Sequence, residues 1–129
     1  MREIEKKRMR YFVVKDDWQI VAGKTDRDND YLSIIYAEPG DYWFHVDGCP
    51  GSHVLLLNKE GEEPHSSVIR IAAEVAAYYS KAKNAKKANV HMTRAGYVSK
   101  TKGSPIGQVN VKNIKNIRVE PKLPEQENS

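Results

Sequence analysis

From Ser66 to Lys87 the chain reads SSVIRIAAEVAAYYSKAKNAKK, with Val68, Ile71, Ala72, Val75, Tyr79 and Ala82 three or four residues apart or adjacent. That spacing draws one apolar stripe along a helix. Ser66 is a suitable N-cap, and Lys81, Lys83, Lys86 and Lys87 complement the negative end of the helix dipole. Ala73, Ala76 and Ala77 allow the helix to approach a sheet closely. A stripe of this kind must be buried against a second layer, and the rest of the chain supplies one made of strands.

RYFVVKDDWQIVAG gives two β-rich runs separated by Lys15-Asp16-Asp17, a hairpin that ends at Gly23. TDRDNDYLSIIYAEPG fits a short helix with Leu32, Ile35 and Tyr36 at helical spacing and a stop at Pro39-Gly40. DYWFHV alternates, so Tyr42, Phe44 and Val46 share a core face while Asp41, Trp43 and His45 share the other. HVLLLN is the next strand, after a turn over Gly48 to Ser52. Beyond the long helix, ANVHMT is a strand, RAGYVSKTKGSPIGQ a basic Gly/Pro loop, and VNVKNIKNIRVEP one or two closing strands. The order ββαββαβββ predicts a single α+β domain: a mixed sheet with two helices, the long amphipathic one packed on it. The divisions expected are a charged N-terminal arm (1–11), the domain itself (12–121) and a flexible tail (122–129).

A chain of 129 residues can bury a core without staples, and 40% hydrophobic with 29% charged residues is a globular balance. The longest strongly apolar run is VLLL, which excludes a membrane-spanning helix. MREIEKKRMR lacks the apolar stretch of a secretory signal, and Cys49, the only cysteine, cannot form an internal disulfide. Both features lead us to expect a cytoplasmic protein. The net charge of +4 is unevenly spread: residues 66–118 hold 11 Lys/Arg against one acidic residue, Glu74. A surface of one sign binds phosphates by releasing their counterions, although basic helices also serve as solvated faces.

The stretch DYWFHVDGCPGSH concentrates chemistry around one turn. A zinc site needs three or four ligands converging on one ion, from Asp41, His45, Cys49, His53, His65 and His91. Asp41 and His45 lie four residues apart on a strand, about 13 Å, too far to share a metal. His45 and His53 meet only if the strand register puts both on one face. No metal or cofactor is expected, and Cys49 is read as a small packing residue. GSPIGQ lacks the Gly-Lys-Ser/Thr ending of a P-loop. Nucleic-acid binding is better served: Trp43 and His45 are flat groups able to stack on an unpaired base, and Lys100 and Lys102 sit in a flexible loop. The alternative is that Trp43 caps the core under the Ala-rich helix and the loop lysines are solvated.

GDYWFHVDGCPGSHVLL, AAEVAAYYSKAKNAKKANV and YVSKTKGSPIGQVNV, followed by NIRVEP, resemble the NFACT-R domain, the RNA-binding module of ribosome quality-control proteins and of the bacterial fibronectin-binding-like family. The resemblance runs from about Phe12 to Pro121 and implies an α+β domain that associates with tRNA and ribosomal RNA. Carried onto this chain, it implies functional roles for Asp41, Trp43, His45, Gly51, Ser52, His53, Ser80, Lys81, Lys100 and Gly103; Lys102 joins them from the composition of its loop. AGKTDRDND departs from the family's Gly-Arg and Gln-Asn pattern. The expectation is a small module that binds structured RNA, tRNA or ribosomal RNA, with the ribosome or RNA-processing proteins as further partners and no membrane. Two alternatives are an RNA-directed enzyme, a nuclease or modification subunit using Asp41, His45 and His53, and a protein-interaction subunit of an RNA-processing assembly.

Overall fold

A computed structural model describes residues 2–4 and 8–125. Strand β1 (Met9–Val14) folds back on β2 (Trp18–Gly23) through a 3-10 turn at Lys15–Asp17. Asp16 and Asp17 both adopt positive φ there, which Asp tolerates better than bulkier side chains do. After β2 come α1 (Asp26–Asp30), β3 (Tyr42–Val46), β4 (Val54–Leu56) and α2 (Ser66–Tyr78). β5 (Ala88–Arg94), β6 (Val98–Ser99), β7 (Asn110–Val111) and β8 (Lys115–Val119) complete the chain. Six strands form one sheet in the order β1-β2-β4-β3-β5-β8, and β6 and β7 pair as a small hairpin.

The α+β class, the hairpin at Lys15–Asp17 and the helix packed on the sheet are as the sequence predicts. Where a mixed sheet was expected, every pairing among the described residues is antiparallel. The arm is shorter than expected, because β1 begins at Met9. Leu123 in the tail packs against the main core, while Met1, 5–7 and 126–129 lie outside the described residues.

Helix α2 has 13 residues and stops at Tyr78, well before the lysines placed on its last turns. The backbone takes other partners there: Ser80 Oγ donates to the Ala77 carbonyl at 2.7 Å and accepts from Ala82 N–H at 3.0 Å. Such local side-chain bonds compete with helix continuation. At the other end His65, not Ser66, is the N-cap, its Nδ1 accepting from Ser67 N–H at 3.1 Å. The short helix α1, capped by Thr25, runs on as a π-helix over Tyr31–Tyr36. The wider turn directs Leu32 and Ser33 inward and leaves Ile35 70% exposed, against the helical spacing that grouped Leu32 with Ile35.

Both faces of the central strands are buried. Tyr42, Phe44 and Val46 join Ile20, Val54, Leu56 and the alanines of α2 in the main core. Trp43 points the other way, into a second cluster with Met9, Val21, Leu32, Leu55, Leu57 and Val98 under the π-helix Tyr31–Tyr36 and the β6-β7 hairpin. Trp43 is therefore core, but on the side opposite the Ala-rich helix.

The start of β3 is fastened by one carboxylate. Asp41 is fully buried and accepts from Arg2 Nη1 at 2.6 and 2.7 Å, from Glu38 N–H at 2.8 Å and from Asn58 N–H at 2.7 Å. Arg2 in turn reaches the Tyr36 carbonyl and the Glu38 carboxylate, so one ion pair ties Arg2 to the end of the sheet where β3 starts and β4 stops. Removing Asp41 leaves Arg2 with only the exposed Glu38 carboxylate as counter-charge and strips the Glu38 and Asn58 amides of their acceptor. Asp41→Ala should lower the free energy of urea unfolding by about 3 to 5 kcal/mol. A loss under about 1 kcal/mol would mean that solvent already satisfies Arg2.

Candidate nucleic-acid interface

The turn from β3 to β4 lands on the C-terminal end of α2. Ser52 N–H donates to the Tyr79 carbonyl at 2.9 Å, and Lys81 N–H donates to the Pro50 carbonyl at 3.0 Å, flanking a β-bridge between Gly51 and Ser80. A Cβ on Gly51 would stand 2.7 Å from Ser80 Cβ and 3.1 Å from Val46 Cγ1, so only glycine lets the two segments come this close. Ser52 Oγ donates to the Gly23 carbonyl at 2.7 Å, and Asn29 Oδ1 accepts from His53 N–H at 3.0 Å. The end of β2, helix α1 and the end of α2 are thereby gathered around one turn.

An open cleft of about 520 Å³ lies where they meet. Gly51, Ser52 and Ser80 form part of its wall, and among the described residues Arg10, Lys24, Lys81 and Lys83 line it against one carboxylate, Asp26. The Arg10 guanidinium lies 4.1 Å from the centre of the Tyr79 ring and donates to the Gly23 carbonyl at 3.1 Å. Lys83 Nζ sits 4.3 Å from the centre of the Tyr78 ring. The two rings meet edge to face, 5.1 Å apart at 90°. Four cations against one carboxylate raise the local concentration of any polyanion.

Of the residues singled out in the sequence, Gly51, Ser52, Ser80 and Lys81 meet at this cleft. Asp41 does not; it is enclosed in its ion pair. Trp43, 2% exposed, donates from Nε1 to Ser33 Oγ at 2.9 Å and has no face to offer a base. Lys100 is held within its own loop, donating to the Pro105 and Gln108 carbonyls at 2.8 and 2.9 Å and pairing with Asp30 at 3.2 Å. Lys102 is exposed, and Gly103 supplies a positive φ at the tip. The cleft adds Arg10, Lys24, Lys83, Tyr78 and Tyr79. KAKNAKK pointed to Lys83 and AAYYS to the tyrosines, whereas nothing local marks Arg10, which arrives from the first strand.

His45 and His53 do share a face: their rings are 5.3 Å apart, perpendicular, with Trp43 beside both. His53 is buried and its Nδ1 lies 2.7 Å from Ser33 Oγ. With the His53 ring proton on Nε2, the Ser33 hydroxyl can accept from Trp43 and donate to Nδ1 at once. Burial holds the His53 imidazole down at about 4, and His45 acts in the same direction, against Asp30. Burial also lowers His45, aided by His91. His53 is buried behind Ser33 and Trp43 while His45 stays half-buried, and the enzyme alternative loses its third member because Asp41 sits in a separate network. Among the described residues no three His, Cys, Asp or Glu side chains could hold a metal ion.

The chain matches the family described as the NFACT protein RNA binding domain over residues 8–113. It is 36% identical over 112 residues to the Rqc2 homolog RqcH of Streptococcus suis, covering 87% of this chain and 20% of that protein. A Drosophila melanogaster relative, the ribosome quality control complex subunit NEMF homolog, is 27% identical over 99 residues, covering 76% of this chain and 10% of its own length. The solved structure of the C-terminal part of the fibronectin/fibrinogen-binding protein of Streptococcus suis superposes with a TM-score of 0.82 at 34% identity, covering 93% of this chain and 47% of that one. The chain thus belongs to the NFACT RNA-binding domain family, and spans a fifth or less of these full-length relatives.

The depressed His53 gives a pH prediction with a definite sign. Above about pH 6.5 the ring is neutral in both folded and unfolded chains and costs nothing. Between about 6.5 and 4 only the unfolded chain binds the proton, so stability falls as the pH drops through that window. The loss from this residue should reach roughly 3 kcal/mol. His53→Gln should flatten the curve of melting temperature against pH between 6.5 and 4; equal slopes in both proteins would place the acid sensitivity elsewhere.

Proposed function

From this family membership we propose that the chain holds structured RNA, tRNA or ribosomal RNA, in the cleft where the Gly51 turn meets the end of α2. The cation set of Arg10, Lys24, Lys81 and Lys83 carries the reading. Phosphate contacts of this kind position RNA and supply affinity that depends on salt. The role fits ribosome quality control, the process named for the Drosophila melanogaster relative, with the cytosol as its compartment and the ribosome as a partner. Lys102 offers a secondary phosphate contact from its exposed loop, whereas Lys100 acts as a staple that shapes the loop.

Titration of tRNA at two salt concentrations tests the reading. Lys81→Gln with Lys83→Gln should weaken binding and reduce the slope of log affinity against log salt by about 0.7 to 0.9 per lysine that contacts phosphate. Lys102→Gln should have a smaller effect of the same kind. Unchanged affinity and slope in the Lys81/Lys83 double variant would remove the cleft from the interface.

A further inference from the structure

Unpaired RNA is usually held by stacking its bases on open aromatic faces as well as by contacts to its phosphates. The aromatic rings of the cleft are already engaged. Tyr79 carries Arg10 and Tyr78 carries Lys83, at 4.1 and 4.3 Å from the ring centres. The rings also meet each other at 90°, and Tyr79 packs against the main core. Trp43, the nearby aromatic best suited to stacking, is buried in the second core. A base stacking on the ring faces that carry Arg10 and Lys83 would have to displace a cation and would lose a phosphate partner by doing so.

The same contacts preorganise the cations. A long Lys or Arg side chain normally loses conformational freedom when it binds a phosphate. Here Arg10 is fixed by the Tyr79 ring and the Gly23 carbonyl, and Lys83 by the Tyr78 ring, before any ligand arrives. The cleft is broad and open to solvent, so it can take a strand in passing. In a paired stem the bases face inward and the phosphates outward, which is the ligand that such a surface fits.

We infer that the cleft reads the backbone phosphates of a paired RNA stem and is blind to its bases, with Tyr78 and Tyr79 as pedestals for Lys83 and Arg10. The inference rests on the RNA-binding reading of this same cleft and adds the class of RNA and the mode of recognition. Lys81, exposed beside the Gly51 bridge, completes the phosphate-facing row.

The test measures the affinity of the full chain for two RNA hairpins with unrelated stems of about 16 base pairs, and for unpaired oligo(A) and oligo(U) of the same total length. The two hairpins should bind within about threefold of each other and more tightly than either unpaired oligomer. Tyr78→Phe, which keeps the pedestal, should behave as wild type, whereas Tyr78→Leu should weaken both hairpins by a similar factor, about threefold to tenfold. Oligo(A) binding at least as tightly as the hairpins, with that preference lost in Tyr78→Leu, would overturn the inference in favour of a stacking platform. A large difference between the two hairpins would overturn it in favour of base readout. Failure of every RNA to bind is a different result and would overturn the RNA-binding reading beneath it.

Discussion

The close approach of Gly51 to Ser80 is the contact on which the candidate site depends. Two backbone hydrogen bonds, Ser52 to Tyr79 and Lys81 to Pro50, form where a turn between strands meets the last residues of a helix. Those bonds remove donors and acceptors that could have continued α2, so the helix ends where the site begins. They also set the backbone that carries Lys81, and they put Tyr78 and Tyr79 within reach of Lys83 and Arg10. A single Cβ at position 51 would open this junction.

The six-stranded sheet makes that junction rigid. β3 and β4 lie in its middle with both faces covered, so the turn joining them starts and ends on well-packed backbone. Asp41 fastens one end of β3 through Arg2 and the Asn58 amide, and the Ser33-His53-Trp43 network fastens the start of β4. The two polar networks thus serve the scaffold. Strong polar groups in a turn motif invite a catalytic reading, and here their hydrogen bonds are spent on holding strands in register.

Much of this was legible in the sequence, for identifiable reasons. The hairpin at Lys15–Asp17, the alternation of Tyr42, Phe44 and Val46, and the stripe of Val68, Ala72 and Val75 are local patterns, and local periodicity reports which residues share a face. Reading DYWFHV as having one buried face missed the second core, because alternation shows which residues lie together but not whether a layer covers them. The length of α2 was overestimated because helical spacing continues to Ala82, while its end is set by Pro50 and Ser80. Lys100 looked like a free cation in a flexible loop; its three oxygen partners come from residues 30, 105 and 108, a convergence that no local pattern encodes. The motif resemblance drew attention to Gly51, Ser52, Ser80 and Lys81, and the fold brought these four to one place together with Arg10, which had no signal of its own.

The central claim is that RNA is met at the Gly51-Ser80 junction, and mapping backbone amide shifts by NMR on adding an RNA hairpin at low salt tests it most directly. The account predicts that the largest changes fall on Lys24, Gly51, Ser52, Ser80, Lys81 and Lys83, with the sheet interior around Phe44 and Leu55 unmoved. Changes confined to the 100–109 loop and the β6-β7 hairpin, with Gly51 and Lys81 unaffected, would contradict it.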